Sequence, residues 1–359
     1  MRILYITEKL KAKSGGTAVS QRNFDVIKSL YPSAEICKYY ITRSQHNALI
    51  SVYNEIVYEN IYGFNGKAIR DLLNYIACNK IDNVFVENSN NGFLAKHIKR
   101  NFPSIHIVTF FHNVERLFME DQLRLTKHPK FLYRVLVSKK CEDYACRFSD
   151  KIICLNQRDA EIISKLYNRK PDIIAPVSLP DDFDSSLVID AQVDKNNLNG
   201  LFIGSFFPPN VCGIRKFITE VLPKVNIHLT IAGSGMDALK DEFSSLKNVT
   251  VLGFVENLQK LYAEADFMVM PINDGSGMKV KTAEALKYGK YLLASSESLV
   301  GYNTTSNEAI ECKTSEEFVR AIKGYDRKNK FNQSSRDLFL RDYSYGATMS
   351  LYERLFEEL

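Results

Sequence analysis

The sequence lacks the features by which exported, disulfide-stabilised and membrane-spanning proteins are recognised. Its seven cysteines are an odd number, form no C-x-x-C pair and are scattered through apolar stretches, which is typical of reduced thiols in a cytoplasmic protein. No apolar run approaches the roughly 18 residues that a helix needs to span a bilayer. The chain enters a strand pattern at Met1 to Tyr5 without a signal-type segment. We therefore expect a cytoplasmic protein.

A large charge of one sign is also absent. The 359 residues carry a net charge of +5, which is too small to indicate nucleic-acid binding but is compatible with phosphorylated small molecules or an anionic membrane surface. Hydrophobic residues make up 45% of the chain, enough for two cores, and the length suits two domains of ordinary size. Alternating strand and helix patterns predict an α/β protein with doubly wound parallel sheets.

The stretch 265–290 joins an apolar strand pattern to a helical pattern through a loop that contains Gly275 and Gly277. Such a junction presents free backbone N–H groups and the positive end of a helix dipole, where phosphates bind. Lys279 and Lys281 add positive charge to the first helical turn. The alternative is a plain βα turn with both lysines in water, because glycine loops are common.

A family resemblance is carried by residues 275–290, which read GSGMKVKTAEALKYGK. This run resembles the donor loop of retaining, family 4-like glycosyltransferases, in the branch with the pattern G-x-G-[IM]-K-x-K-x-x-E-A-[LM]-x-x-G-K. The residues that fall on this pattern are Gly275, Gly277, Lys279, Lys281, Glu284, Ala285, Gly289 and Lys290. The resemblance implies the GT-B fold, in which two Rossmann-like, doubly wound parallel-sheet domains face a central cleft.

The resemblance also implies roles for this loop. Lys279, Lys281 and the N–H groups from Gly277 to Lys279 would hold the donor diphosphate, and Glu284 would hold the ribose hydroxyls. We therefore predict Lys279 and Glu284 as catalytic residues, with the nucleotide base near residues 254–255. The full predicted donor-binding set is Gly16, Ser205, Asn210, Phe254, Val255, Ser276, Gly277, Met278, Lys279, Lys281 and Glu284.

Polar residues also follow two strand patterns in the N-terminal half, at the sheet edge where open α/β folds place ligand groups. Glu87 and Asn88 could instead be a capped polar turn, and His112 a satisfied structural histidine. The sequence H-N-V-E at residues 112–115 resembles the same family, whose histidine reaches toward the transferred sugar. We predict His112 as catalytic. The predicted acceptor-side residues are Gly15, Glu87, Asn88 and Asn113, and the glycines at 15 and 16 could instead be only a flexible connection.

The C-terminal half departs from the family pattern in two places. Many members carry an Arg and a Lys in the loop after the first C-domain strand, and residues 204–213 contain neither. Many also carry a Glu where Ser276 stands. We interpret Lys279 and Lys281 as taking over part of the diphosphate charge, with Arg215 as a weaker candidate.

The resemblance implies a retaining glycosyltransferase that moves a sugar from a nucleotide-sugar, a UDP-sugar in our interpretation, to a saccharide or lipid-linked acceptor. Surface polysaccharide or glycan assembly is the expected setting. Two alternatives stay open: a nucleotide-sugar epimerase of the same fold, which would act without an acceptor, and a non-catalytic glycan-binding partner subunit. No metal or other cofactor is expected, because the phosphate loop carries lysines rather than the carboxylates that hard cations prefer.

Helical and strand periods fade between residues 171 and 199. We predict an N-terminal acceptor-side domain at residues 1–178, a linker at 179–199, a nucleotide-sugar-binding domain at 200–335, and C-terminal helices at 336–359 that cross back to the N-domain. Asp181, Asp182 and Asp184 are expected in a solvated turn of the linker. Residues 36–62 are expected to be rich in strands.

A basic, aromatic stretch at residues 127–147 predicts a helix with one apolar and one cationic face. Such a helix can lie on anionic lipid, which would make the protein peripheral at the inner face of the cell membrane. More commonly it packs on its own domain with its lysines in water. No nucleic-acid partner is expected.

Overall fold

The computed structural model describes residues 1–8, 15–41, 48–188, 193–194 and 197–356. The chain divides into two compact units, Met1–Pro176 with Thr348–Leu359, and Val177–Ala347. Each unit is built around one sheet of six strands, and every strand pairing in both sheets is parallel. The predicted class, an α/β protein with two doubly wound parallel-sheet domains, is confirmed.

The first unit has the strand order β2-β1-β3-β4-β5-β6. Its strands are β1 Arg2–Glu8, β2 Glu35–Ile41, β3 Asn83–Glu87, β4 His106–Phe111, β5 Lys151–Cys154 and β6 Ile173–Ile174. Its helices are α1 Gly15–Leu30, α2 Ala48–Val57, α3 Gly66–Cys78, α4 Gly92–Asn101, α5 Glu115–Thr126, α6 Lys130–Phe148 and α7 Gln157–Tyr167. All residues of β3 and β5 are buried, as expected for strands covered on both faces.

Asparagine caps set where two of these helices begin. The Asn65 side chain accepts hydrogen bonds from Lys67 N and Ala68 N at the start of α3, and the Asn156 side chain accepts from Asp159 N at the start of α7. Each cap satisfies backbone donors that a helix leaves free in its first turn.

The second unit has the strand order β12-β11-β10-β7-β8-β9. Its strands are β7 Leu198–Ile203, β8 Ile227–Ala232, β9 Val249–Gly253, β10 Phe267–Met270, β11 Tyr291–Ala294 and β12 Ala309–Glu311. Its helices are α8 Pro208–Lys216, α9 Lys240–Phe243, α10 Gln259–Glu264, α11 Val280–Lys287, α12 Ser315–Lys323, α13 Gln333–Leu338 and α14 Tyr345–Met349, and α14 runs across the unit boundary at residue 347.

One expectation about the connections was wrong. The described part of residues 36–62, which leaves out 42–47, holds one strand, β2, and then the helix α2, so it is not rich in strands. Asp181, Asp182 and Asp184 are exposed, as expected for a solvated turn, and the first two also pair with Arg336 at 2.6 Å and with Lys287 at 2.5 Å.

The unit boundaries differ from the expected ones. The first unit ends at Pro176, and the described residues of the 179–199 segment belong to the second unit. Leu179 joins that unit through backbone hydrogen bonds with Tyr343 and Tyr345. Near the other end, the chain passes back into the first unit at Thr348 rather than at residue 336.

The returning segment is bonded to the first unit by side chains as well as backbone. The Tyr352 hydroxyl donates to Asn23 Oδ1 at 2.9 Å, and the ring of Tyr352 is fully buried. The Tyr31 hydroxyl accepts from Leu355 N at 3.2 Å. The last described residues are therefore an integral part of the first unit's fold.

Gly92 opens α4 where this helix packs on α6. A Cβ atom at Gly92 would lie 1.9 Å from the carbonyl oxygen of Cys141 and 2.6 Å from the backbone nitrogen of Ala145. Both are backbone atoms in the middle of α6, so they cannot rotate out of the way as a side chain would. The two helices can approach this closely only because residue 92 has no side chain.

We expect Gly92→Ala to lower the free energy of unfolding by about 3 kcal/mol, because overpacking against backbone forces the helices apart. Gly66→Ala is a matched control at the first residue of α3, where the new Cβ would lie an ordinary 3.4 Å from the Tyr58 side chain. The control should change stability by no more than about 1 kcal/mol. Denaturant titration of both variants tests this, and equal stabilities would refute the close helix approach.

Candidate active site

The sheet order of the second unit defines where a ligand would be expected. Chain connections run outward from β7 in both directions, through β8 and β9 on one side and through β10, β11 and β12 on the other. Open α/β sheets bind ligands beyond the carboxyl ends of the strands at such a reversal. The loops that leave β7 and β10, at residues 204–207 and 271–279, lie at this point.

The loop after β10 has the glycine geometry that the sequence indicated. Gly275 has a φ of +125° and Gly277 a φ of +67°, conformations that other residues adopt only with strain. Helix α11 starts directly afterwards at Val280, with no side-chain cap on its free N–H groups. The junction of strand, glycine loop and helix start is confirmed, and its first-turn N–H groups are not capped by the Lys279 side chain.

Lys279 is held inside this junction. Its Nζ lies 2.7 Å from Glu297 Oε1 and donates to the carbonyl oxygens of Gly277 at 3.0 Å and Ser276 at 3.3 Å. The Tyr302 hydroxyl donates to the Lys279 carbonyl at 2.8 Å. The ammonium therefore ties the glycine loop to the segment after β11, a tertiary role in addition to the phosphate contact predicted for it.

Lys281 and Glu284 form a second ion pair on α11, with Nζ and Oε2 separated by 2.7 Å. The Tyr262 hydroxyl donates to the same carboxylate oxygen at 3.3 Å. Two lysines and two glutamates thus stand beside one loop, and their charges cancel locally. An anion that binds here has to compete with Glu284 and Glu297 for the lysines.

Ser276 holds a polar group that needs a partner. Its hydroxyl oxygen is buried and has no hydrogen-bond partner among the residues that the structure describes. Buried hydroxyl groups are nearly always bonded, because leaving one unpaired costs free energy. Ser276 lies between the two left-handed glycines, so an acceptor or donor supplied by a ligand at this loop would satisfy it.

The other predicted donor residues lie at the carboxyl ends of β7 and β9. The Asn210 side chain donates to the Ser205 carbonyl at 2.9 Å and so fixes the loop after β7. Phe254, directly after β9, is 64% exposed, and Val255 beside it is half-buried. Phe206 is also exposed at this edge, and the sequence analysis did not select it.

The position of Arg215 does not support the prediction that it contacts phosphate. It lies in the last turn of α8 and pairs with Glu242, with Nη2 and Oε2 separated by 2.6 Å. A guanidinium already bound to a carboxylate at the far end of that helix cannot serve the loops at the strand ends. The diphosphate role proposed for Arg215 is therefore dropped.

In the first unit, the strand order reverses between β1 and β3, and Glu87 ends β3 at that point. The carboxylate of Glu87 accepts hydrogen bonds from the Tyr5 hydroxyl, from His112 Nε2, from Asn23 Nδ2 at 3.0 Å and from Ser20 Oγ at 3.2 Å. Glu87 is only 3% exposed. Its carboxylate oxygens are occupied by donors of the protein itself. In place of the predicted acceptor contact, we therefore assign Glu87 the role of holding His112.

This network keeps Glu87 ionised. Burial by itself raises the pKa of Glu87, but the electrostatic interaction with His112 and the hydrogen bonds from His112, Tyr5 and Asn23 outweigh burial and bring the pKa below its usual value. Burial and the neighbouring Glu87 charge raise the pKa of Tyr5 well above its usual value, so Tyr5 remains a donor. With its Nε2–H committed to Glu87, His112 has only Nδ1 left for another partner.

The remaining acceptor-side predictions have side chains that contact one carboxylate. Asn88 Nδ2 lies 3.4 Å and Asn113 Nδ2 3.3 Å from Glu115 Oε1, and Asn90 Nδ2 lies 3.0 Å from Glu115 Oε2. Asn88 also has a φ of +77°, which an asparagine tolerates better than most residues. The backbone at Gly15 and Gly16 lies in the first turn of α1, and the preceding loop lies outside the described residues.

Two other kinds of feature are absent from the described part of the chain. None of its helices is both long and apolar enough to cross a membrane. No group of three or more His, Cys, Asp or Glu side chains is placed to hold a metal ion in those same residues.

Residues 198–325 match the sequence model of the family described as Glycosyl transferases group 1. The matched segment lies within the second unit. The matched segment contains the glycine loop, Lys279, Lys281 and Glu284, which the family resemblance had singled out. Among curated proteins, an uncharacterized 44.6 kDa protein in the cps region of Klebsiella pneumoniae is 24% identical to this chain over 235 residues. The aligned residues cover 60% of this chain and 58% of that protein.

Solved structures share the fold of the whole chain. The Anabaena protein HepE in complex with UDP and glucose has a TM-score of 0.65 at 12% identity, with 100% of both chains covered. The lipopolysaccharide outer core galactosyltransferase WaaB has a TM-score of 0.62 at 14% identity, with 99% of both chains covered. A glycosyltransferase from Rickettsia africae has a TM-score of 0.66 at 12% identity, with 100% of this chain and 99% of that chain covered. The GT-B fold is thereby established for this chain.

Several residues of the site were not found by sequence reasoning. Glu297 follows β11 at the same sheet edge, so the strand-end rule that selected His112 could also have selected it. Tyr262 and Tyr302 bond the site from other segments, and Tyr5 lies inside a strand. Nothing in their local sequence signals these contacts.

Two variants of the Lys279–Glu297 pair test whether Lys279 binds phosphate. Lys279→Ala should weaken UDP binding by about tenfold or more, since hydrogen bonds to charged groups contribute about 1.5–3 kcal/mol. Glu297→Gln should leave binding unchanged or tighten it, because the ammonium loses a competing carboxylate. Calorimetric titration with UDP measures both. If both variants weaken binding equally, the pair only shapes the loop and Lys279 is not a phosphate ligand.

Proposed function

We propose that this protein is a retaining glycosyltransferase that moves a sugar from a nucleotide-sugar to a saccharide or lipid-linked acceptor. The observation that carries the proposal is the junction after β10, where left-handed glycines, an uncapped helix start and an unpartnered Ser276 hydroxyl coincide inside the segment that matches the glycosyltransferase family. HepE, which has the same fold, was solved with UDP and glucose, and this supports a UDP-sugar as donor.

Binding of the donor would use the charges and dipoles of that junction. Backbone N–H groups of Gly277, Met278 and Lys279 would contact the diphosphate at the N-terminus of α11, where the helix dipole favours an anion. Lys279 and Lys281 would exchange their carboxylate partners for phosphate oxygens. Glu284, once released by Lys281, would accept hydrogen bonds from the ribose hydroxyls. The exposed ring of Phe254 would lie against the base.

Catalysis would then be mainly electrostatic. Groups fixed in place before the reaction stabilise the charge that develops on the departing diphosphate, and removal of one such donor typically slows an enzyme by about 10²- to 10³-fold. The diphosphate itself would help to deprotonate the acceptor hydroxyl on the same face of the sugar, which gives retention at the anomeric carbon. In the first unit, His112 would contact the transferred sugar through Nδ1, because Glu87 holds its other nitrogen.

The acceptor class is proposed from a relative's description. WaaB, which shares the fold, is described as a lipopolysaccharide outer core galactosyltransferase. This supports a surface saccharide or its lipid-linked precursor as acceptor, and surface polysaccharide or glycan assembly as the setting.

Incubation with a panel of nucleotide-sugars, with and without an exhaustive chelator, tests the function and its metal requirement together. We expect slow release of free nucleotide from one donor, faster release with acceptor, and no loss on chelation. The metal would be redundant because Lys279, Lys281 and the dipole of helix α11 would neutralise the charge of the diphosphate. Release from no donor would favour a partner subunit, and a changed sugar without an acceptor would indicate an epimerase. Loss on chelation that Mg²⁺ restores would make Asp274 a candidate ligand.

His112→Ala should lower kcat by about 10²-fold while it changes donor affinity little, since positioned acid, base or polar groups act mainly in the transition state. His97→Ala is a control on the surface of α4, where the side chain is half-buried, and should leave kcat unchanged. Steady-state kinetics and equilibrium donor binding separate the two effects. Parental turnover in His112→Ala would show that His112 is only structural.

A further inference from the structure

Helix α2 exposes apolar side chains and buries polar ones, which is the opposite of an ordinary surface helix. Its exposed side chains are mostly apolar: Leu49 at 83%, Ile50 at 45%, Tyr53 at 62%, Ile56 at 51% and Val57 at 49%. Its buried side chains include Asn54 and Glu55, at 5% and 3%. At about 100° per residue, the five exposed apolar side chains occupy one arc of about 120°, and Glu55 lies outside it. This arrangement leaves the apolar stripe facing away from the core of its own unit.

Glu55 fixes this orientation. Its carboxylate accepts from the Tyr133 hydroxyl at 2.7 Å and pairs with Arg134 Nη2 at 2.8 Å, both on α6. Because the polar side of α2 is fastened to α6 by a buried ion pair, the helix cannot rotate to bury its apolar side without breaking that pair. The outward apolar stripe is therefore a fixed property of the fold.

Helix α6 extends the exposed apolar surface. Leu132 and Leu136 are 59% and 63% exposed, and they lie one helical turn apart on the same face. They flank Tyr133 and Arg134, the residues that hold α2. Isolated exposed leucines need no explanation, but a cluster of large apolar side chains on two linked helices is typical of an interaction site. We name the exposed apolar residues of α2 with Leu132 and Leu136 the α2–α6 surface.

The charge around the α2–α6 surface indicates which kind of partner it binds. Residues 122–140 contain no Asp or Glu, and their cations are Arg124, Lys127, Lys130, Arg134, Lys139 and Lys140. Lys127, Lys130 and Lys139 are exposed. Acidic groups pair with three members of this set: Asp121 with Arg124, Glu55 with Arg134 and Glu59 with Lys140. An apolar stripe bordered by surplus cations matches a bilayer that carries anionic lipids.

A second copy of the chain fits this surface less well. In a two-fold symmetric dimer the same patch meets itself, so the lysines of one copy would face the lysines of the other across the interface. An anionic bilayer both buries the apolar stripe and neutralises the lysines.

We propose that the α2–α6 surface docks on the headgroup region of an anionic lipid bilayer, with the apolar stripe of α2 inserted and the lysines of residues 127–139 on the phosphates. This surface is distinct from the donor site, and its existence does not depend on the proposed function. For an enzyme with a lipid-linked acceptor it would hold the first unit at the membrane that carries the acceptor.

The test is co-sedimentation of the full chain with vesicles of phosphatidylcholine alone and of phosphatidylcholine mixed equally with phosphatidylglycerol. We expect binding to the mixed vesicles that weakens as salt is added. Leu49→Ser with Tyr53→Ser and Ile56→Ser should weaken this binding more than about tenfold, because interfacial affinity scales with the apolar area buried. The matched control, Leu246→Ser with Ile310→Ser, replaces exposed apolar side chains of the second unit and should bind as the parent does.

A charge variant separates the cationic contribution. Lys130→Glu with Lys139→Glu should abolish the preference for anionic vesicles, whereas Lys247→Glu with Lys323→Glu, exposed lysines of the second unit, should not. Circular dichroism and the unfolding midpoint check that each variant folds. The proposal is overturned if the parent binds neither vesicle or if the α2 variant binds like the parent. It is also overturned if the parent is a dimer that the α2 variant converts to monomer, since the surface is then a subunit interface.

Discussion

Burial of parallel strands on both faces is the constraint from which the chemistry of this protein follows. Strands such as β3 and β5 have no exposed residue, so polar side chains reach solvent or a ligand only where the strands end. All strands of a sheet run in one direction, and one edge of each sheet therefore collects the loops that follow them. Glu87 and His112 meet at that edge in the first unit, and Ser276, Lys279 and Glu297 meet at it in the second.

The loop after β10 combines a backbone set by its glycines with charged side chains that are already paired. Its glycines set the chain direction, while Lys279 joins the loop to Glu297 and Lys281 joins Glu284. A site whose cations are already paired avoids the repulsion that two unshielded lysines beside a helix N-terminus would cause. A ligand would reach both lysines only if its charge were concentrated enough to displace the two carboxylates.

Sequence reasoning predicted the elements whose signal is local. The glycine junction at residues 265–290 follows from an apolar run and turn residues, and it was found. Helix α2 was missed although its apolar residues have helical spacing, because its Ile, Val and Tyr residues are typical of strands. The Lys279–Glu297 and Tyr5–Glu87 contacts join residues 18 and 82 positions apart, and Arg215 was misassigned for the same reason, since its partner Glu242 is distant in sequence. Only the tertiary fold brings such pairs together.

The return of the chain to the first unit at Thr348 has a consequence for biosynthesis. Tyr352 bonds Asn23, and Asn23 in turn donates to Glu87, which holds His112. On the ribosome, residues 1–176 emerge long before Tyr352 is made, and the whole second unit is translated in between. The first unit can therefore complete its packing around His112 only after Tyr352 has left the exit tunnel, although its own strands are synthesised before the second unit.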